Sequence, residues 1–167
     1  MLPNLPQHAV AAVAVLRAGC VLVNVNPQHT PRELQHQLKD SGAQAIVLLE
    51  NYATVLQQVL SAVPTKHVIV ASMGDMLGSV KGVLVNQLLR NLKKQVPAFE
   101  LPEATRFNDA LARGRQAGYA APAVGPDDIA LLQYSGGTTG TARAAVLLHR
   151  NLVANVLQAE AWHRPAL

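Results

Sequence analysis

Two runs, Ala45-Ile46-Val47-Leu48-Leu49 and His67-Val68-Ile69-Val70-Ala71, most constrain what this chain can fold into. Neither alternates between apolar and polar residues, as a strand with one wet face must. Such runs are buried on both faces, the usual state of strands in a parallel sheet covered by helices. Asn51 to Val63 lies between them, reads as a helix and is ended by Pro64. Upstream, Val21 to Val25 is a short β-type run closed by Asn26-Pro27. In the next segment Thr30 can cap a helix, Pro31 fits its first position and Glu33 can return a hydrogen bond to the cap. That helix is expected to run to about Asp40 and stop at Ser41-Gly42. The strand, helix, strand, helix, strand rhythm predicts an α/β fold of the three-layer type, with a mostly parallel sheet built from βαβ units and right-handed crossovers.

The remaining segments fit around that core. Leu5 to Ala18 is apolar almost all round, which predicts a buried helix with Gly19 as its left-handed cap. From Gly74 to Val96, Leu77, Val80, Leu84, Leu88 and Leu92 recur at helical spacing, with Lys81, Arg90, Lys93 and Lys94 beside them. Such a basic amphipathic helix either covers the sheet with its apolar side or lies on an anionic membrane or a partner. Phe99 to Gly125 reads as a looser connection holding one short helix from about Thr105 to Arg113. Ile129 to Tyr134 and Ala144 to Leu148 are strand-like, and Asn151 to about Trp162 is helical.

Half of the 167 residues are apolar, enough for a domain with a core. The formal charge of +4 is not massed into a run, and aromatic residues make up only 4%, which argues against a nucleic-acid partner that stacks bases. The single cysteine, Cys20, excludes an internal disulfide and a cysteine-based zinc site, and is expected to be a small core residue. Leu16-Arg17-Ala18-Gly19-Cys20 is no lipoprotein box, because no charged segment precedes it and Arg17 interrupts the apolar run. No apolar stretch approaches the length of a membrane span. His36, His67 and His163 have no metal-ligand spacing, so no residue is assigned to a metal.

The chemistry concentrates between the last two strands, at residues 135–143. Gly136, Gly137 and Gly140 let the backbone bring its N–H groups close to an anion. Ser135, Thr138 and Thr139 add hydroxyls, and Arg143 adds a guanidinium. The same residues also make ordinary polar turns between strands. The loop is not a Walker-type site, since it lacks the lysine and hydroxyl pair after its final glycine and leads into a strand instead of a helix. His149, just after the second strand, reads either as a neighbour of such a site or as a local capping or packing residue. No catalytic residue is assigned.

Leu132 to Gly140, followed by a basic residue at 143 and His149-Arg150-Asn151, resembles the phosphate-loop signature of the adenylate-forming enzymes. Leu16-Arg17-Ala18-Gly19, Val23-Asn24-Val25-Asn26-Pro27, Thr30-Pro31-Arg32-Glu33-Leu34 and Asp40-Ser41-Gly42-Ala43 are similar, in order and spacing, to bacterial long-chain fatty-acid-CoA ligases. The resemblance implies ATP-dependent activation of a fatty acid to its acyl-AMP and transfer of the acyl group to coenzyme A. Residues 135–143 would hold the ATP phosphates, with Mg²⁺ sharing their charge. Three positions depart from the family pattern: Arg143 stands for a lysine, Ala144 for a glycine and Leu148 for a threonine. The adenine, ribose and magnesium residues and the lysine-bearing C-terminal lid domain would lie beyond Leu167. The chain is therefore expected to be an incomplete piece, 1–167, of the large AMP-binding domain. As such it would be unable to complete the reaction alone, or would be a residual phosphate binder or inert fragment. The resemblance also implies a cytoplasmic protein with weak peripheral contact to the inner membrane through residues 74–96.

Overall fold

The computed structural model describes residues 1–135 and 142–164. In chain order these form α1 (Pro6–Arg17), β1 (Leu22–Val23), α2 (Pro31–Ser41), β2 (Ala45–Leu49), α3 (Ala53–Gln57), β3 (His67–Ala71), α4 (Ser79–Gln87), β4 (Thr105–Arg106), α5 (Phe107–Gln116), β5 (Ile129–Tyr134), β6 (Ala144–Leu148) and α6 (His149–His163). The architecture is mixed α/β with parallel strands. The chain divides into two compact units, Met1–Ala11 with Val25–Tyr119 and Ala12–Asn24 with Ala120–Leu167.

The first unit holds a parallel sheet in the order β2-β3-β4, with Ala45 opposite His67 through Leu49 opposite Ala71. The two apolar runs are packed on both faces, as their lack of alternation requires. Ile46, Leu48, Val68 and Val70 join Leu34, Leu38 and Leu56 in one cluster. Leu49 and Ala71 join Leu2 and Phe107 in another, with Val47 and Ile69 packed against it.

Helix α2 begins as its sequence predicts. The Glu33 N–H donates to Thr30 Oγ1 at 3.4 Å and the Thr30 N–H donates to the Glu33 carboxylate at 2.8 Å, while Gly42 closes the helix at φ 63°. The backbone and hydroxyl donors of Thr30 hold the Glu33 carboxyl below its ordinary value of 4.5. Because the folded value is the lower one, the stabilisation is complete above pH 4.5 and fades as the pH falls through the depressed folded value. Glu33→Gln is expected to lower the thermal midpoint at neutral pH and to flatten its acid dependence. Melting curves across the acid range check this, and an unaltered acid limb would show that the box adds no charge-dependent stability.

Several expectations are corrected. Helix α1 is not buried all round: of its residues Gln7 is the buried one and Val13 is exposed. Val10 and Ala11, with Leu5 just before the helix, pack against the Leu2–Phe107 cluster. Cys20 is exposed, at the surface turn that follows the left-handed Gly19 (φ 68°). The expected helix over 51–63 is broken into α3 between two 3₁₀ turns, Glu50–Tyr52 and Leu60–Ala62. Tyr52 and Val59 leave the helical region, and none of these pieces has a side-chain cap. Thr105 and Arg106 form a strand, so the next helix starts later and reaches Gln116.

The segment over 74–96 is a loop, then α4, then a π-helical turn at Leu88–Leu92 that the Lys93 N–H closes on the Leu88 carbonyl. Its aliphatic stripe does not cover the sheet: Val80, Leu84, Leu88 and Leu92 are all exposed. The opposite side turns inward. Gly82 and Gly74 approach so closely that a Cβ on Gly74 would lie 2.3 Å from the Gly82 carbonyl oxygen. The Gly74 N–H donates to Asn86 Oδ1 at 2.7 Å, and Arg90 reaches Glu50 at 2.6 Å and Ser72 Oγ at 2.9 Å.

The second unit holds β1-β5-β6, with β1 parallel and β6 antiparallel to β5. Residues 135–143 therefore do join two strands, and α6 packs on both.

Candidate functional site

The neck of the loop is set by the β5–β6 ladder. Tyr134 stands opposite Ala144, and one step further the Ser135 N–H donates to the Arg143 carbonyl at 3.1 Å. The Ser135 hydroxyl makes a longer bond, 3.4 Å, to the same oxygen. Ser135 and Arg143 are both exposed, at the two ends of the loop. Gly136, Gly137, Thr138, Thr139 and Gly140, named above for phosphate binding, lie outside the described residues.

His149 lies at the other end of β6 from Arg143. It is the first residue of α6, beyond the end of β6 opposite Ile129, and six residues from Arg143 along extended chain. At about 3.3 Å per residue that is roughly 20 Å of chain between His149 and Arg143. Its N–H donates to the Asp128 carbonyl at 3.0 Å, and the Arg150 N–H donates to that of Pro126 at 2.9 Å. The start of α6 is thus fastened to the segment entering β5, and an exposed Arg150–Asp127 pair at 2.6 Å lies on the same seam.

Two of the three departures from the family pattern are accommodated. Ala144 lies in β6, and the only non-glycine residues of positive φ among those described are Met76 and Lys94, so no left-handed strain falls on Ala144. Leu148 has no capping side chain, but its N–H donates to Asn151 Oδ1 at 2.8 Å, the return half of a capping box. Asn151 was readable three positions into the helix, yet its role appears only when Leu148 is placed at the cap. The third departure, Arg143, remains a cation and can grip two oxygens where lysine offers one point charge.

No group of three or more His, Cys, Asp or Glu side chains gathers among the described residues. The described residues therefore do not by themselves fit a metal ion. No described helix is long and apolar enough to cross a membrane.

Comparison with known proteins supplies the rest. The family of AMP-binding enzymes matches residues 1–166. The chain is 49% identical to a long-chain-fatty-acid–CoA ligase of Escherichia coli O157:H7, over 100% of this chain and 30% of that protein. It is 32% identical to the enzyme of the same description from Bacillus subtilis (strain 168), over 97% of this chain and 29% of the other. Among solved structures, a long-chain-fatty-acid-CoA ligase from Archaeoglobus fulgidus matches 95% of this chain and 26% of its own at a TM-score of 0.62 and 26% identity. The chain thus spans about three tenths of the length of the curated relatives it matches. With its phosphate-loop text between two strands of a parallel-containing α/β fold and a match along nearly its whole length, the chain belongs to the AMP-binding enzyme family.

Proposed function

We propose that this chain carries the phosphate-gripping loop of an ATP-dependent long-chain fatty-acid-CoA ligase. The observation that carries the reading is 49% identity along all 167 residues to a protein of that description. In such a reaction the fatty acid carboxylate attacks the α-phosphorus, pyrophosphate leaves, and the coenzyme A thiolate then displaces AMP from the acyl carbon. This chain's part is to hold the leaving phosphates in line. The 3.4 Å bond between the Ser135 hydroxyl and the Arg143 carbonyl is long enough to be exchanged for a shorter, charge-assisted one to a phosphate oxygen. The Arg143 fork would take two further oxygens. Mg²⁺ would share the phosphate charge, and no step is assigned to it on the described residues. Residues 135–143 would thus be the working loop of a partial AMP-binding domain. The setting is the cytoplasm, with peripheral contact to the inner membrane, where long-chain fatty acids partition.

Calorimetric titration of the chain with ATP and Mg²⁺ tests the loop. Arg143→Ala is expected to weaken binding about tenfold, the worth of a charge-assisted hydrogen bond, and Arg143→Lys to restore part of it. No heat from the unmodified chain at millimolar ATP would remove the phosphate reading and leave an inert piece.

A further inference from the structure

We infer that the turn from Ser72 to Gly78 is a proton-operated clamp on α4, which it grips more tightly once the Asp75 carboxylate is neutralised. The inference needs neither ATP nor the loop at 135–143.

The clamp is assembled at the carboxyl ends of β2 and β3, where Glu50 and Ser72 directly follow the strands. Ser72 is buried and its polar atoms are all engaged. Its N–H donates to Asp75 Oδ2 at 2.7 Å, its carbonyl accepts from Gln7 Nε2 at 3.0 Å, and its hydroxyl accepts from Arg90 Nη2 at 2.9 Å. Gln7 Nε2 also donates to the Asp75 carbonyl at 2.9 Å, and Asn108 Nδ2 donates to Asp75 Oδ1 at 3.2 Å. Side chains of α1 and α5 thus fasten the turn. Helix α4 is held to the same turn. Gly82 stands against Gly74, Asn86 Oδ1 accepts the Gly74 N–H at 2.7 Å, and Arg90 reaches both Ser72 and Glu50. Met76, in the same turn, has a left-handed φ of 69° without being glycine. Such a conformation persists only while its surroundings hold it.

The charges decide how firmly they hold. Two carboxylates, Glu50 and Asp75, lie around Ser72, and the guanidinium bonded there is paired with Glu50. Among the described residues no cation forms an ion pair with Asp75. It faces the Glu50 carboxylate from the turn after β2, Arg106 from β4 and Arg90 from the π-helical turn, while α1 and α5 present the amides of Gln7 and Asn108. Burial first, and then repulsion by Glu50, push the Asp75 carboxyl above its ordinary 3.8, against the Ser72 N–H and the two arginines. Because the folded value is the higher one, the ionised carboxylate strains the turn above that value. The strain is relieved as the pH falls through it towards 3.8, the reverse of the Glu33 case. With Asp75 neutral, Glu50 has Arg90 to itself, and α4 is tied down at both Gly74 and Arg90.

A nuclear magnetic resonance titration of the chain from pH 7 to pH 3 tests the clamp. It follows the Asp75 carboxyl carbon, the Arg90 Nε–H and hydrogen exchange at the Gly74 amide, corrected for its intrinsic rate. Asp75 is expected to titrate above 3.8. The Arg90 signal should move at the same midpoint, and Gly74 exchange should slow at least about threefold on the acid side. Asp75→Asn, neutral throughout, should show the slow exchange already at pH 7 and lose the pH dependence. Glu50→Gln should lower the Asp75 midpoint, and Glu33→Gln, in the capping box of α2, should leave the Gly74 response unchanged. Circular dichroism melts check that each variant is folded. Gly74 exchange that ignores the Asp75 midpoint overturns the clamp. So does faster exchange in Asp75→Asn at pH 7, which would make the ionised carboxylate the holding form. An Asp75 midpoint unmoved in Glu50→Gln overturns the opposition of the two carboxylates, and the clamp with it.

Discussion

Arg90→Ala is expected to destabilise the first unit by about 3 kcal/mol, the low end of what breaking a buried ion pair costs. Glu50 is 2% exposed, directly after β2, and its carboxylate takes both the Nε and the Nη2 of Arg90 at 3.1 and 2.6 Å. Removing the guanidinium leaves a buried charge with no counter-ion and deprives Ser72 Oγ of its donor. The low end applies because the Arg90 side chain is 34% exposed, so water can reach part of the vacated space. The companion variant separates charge from packing: Glu50→Gln with Arg90→Ala removes the orphaned charge and should recover at least about 1 kcal/mol. Urea denaturation of both variants reads this directly. If the double variant is no more stable than Arg90→Ala, the loss comes from packing of the arginine stem, and the ion pair is not what fastens α4.

That pair also marks where sequence reading ended. Arg90 lies among Lys81, Lys93 and Lys94 and reads there as one more surface cation. Its partner is 40 residues upstream, and nothing local announces a contact at that separation. What was legible is what short-range chemistry decides. The Thr30–Glu33 box and the Gly42 exit are complete within a few residues, and both occur as read. The two-faced burial of β2 and β3 follows from which residues occupy five consecutive positions. The break over 51–63 was hidden because the apolar spacing there is equally satisfied by 3₁₀ and α turns. Strand β4 was hidden because two residues carry no periodicity.

The candidate site divides in the same way. Glycines, hydroxyls and a cation between two strand-like runs are what the sequence offers for an anion, and the β5–β6 ladder does bring Ser135 and Arg143 together at the neck of that loop. His149 looked close because it follows the loop by a few residues. Extended chain converts a short interval in sequence into a long one in space, and β6 separates His149 from Arg143 by its whole length. Ala144 looked strained because a glycine stands there in the family pattern, yet a strand position asks nothing of alanine that it cannot give.

Leu48→Ala is expected to cost about 3 kcal/mol, within the range for truncating a fully enclosed leucine. Leu48 has no exposure, sits in β2 opposite Val70, and shares a cluster with Leu34, Leu38 and Leu56, three helical side chains that cannot all follow the shrinking strand. The removed atoms lose their transfer energy, and the cavity between a sheet and α2 closes only in part, because the capping box and the Gly42 turn hold that helix at both ends. Leu48→Met conserves volume and should lose less than about 1.5 kcal/mol. Leu92→Ala removes the same atoms from a side chain 77% exposed and should stay within about 0.5 kcal/mol of the unmodified chain. The three urea midpoints form one test. Equal losses at positions 48 and 92 would mean that Leu92 is covered in solution. A small loss at position 48 would mean that the parallel sheet of the first unit is not closely packed, and the expectation for Arg90, which depends on a dry carboxylate at the end of β2, would fail with it.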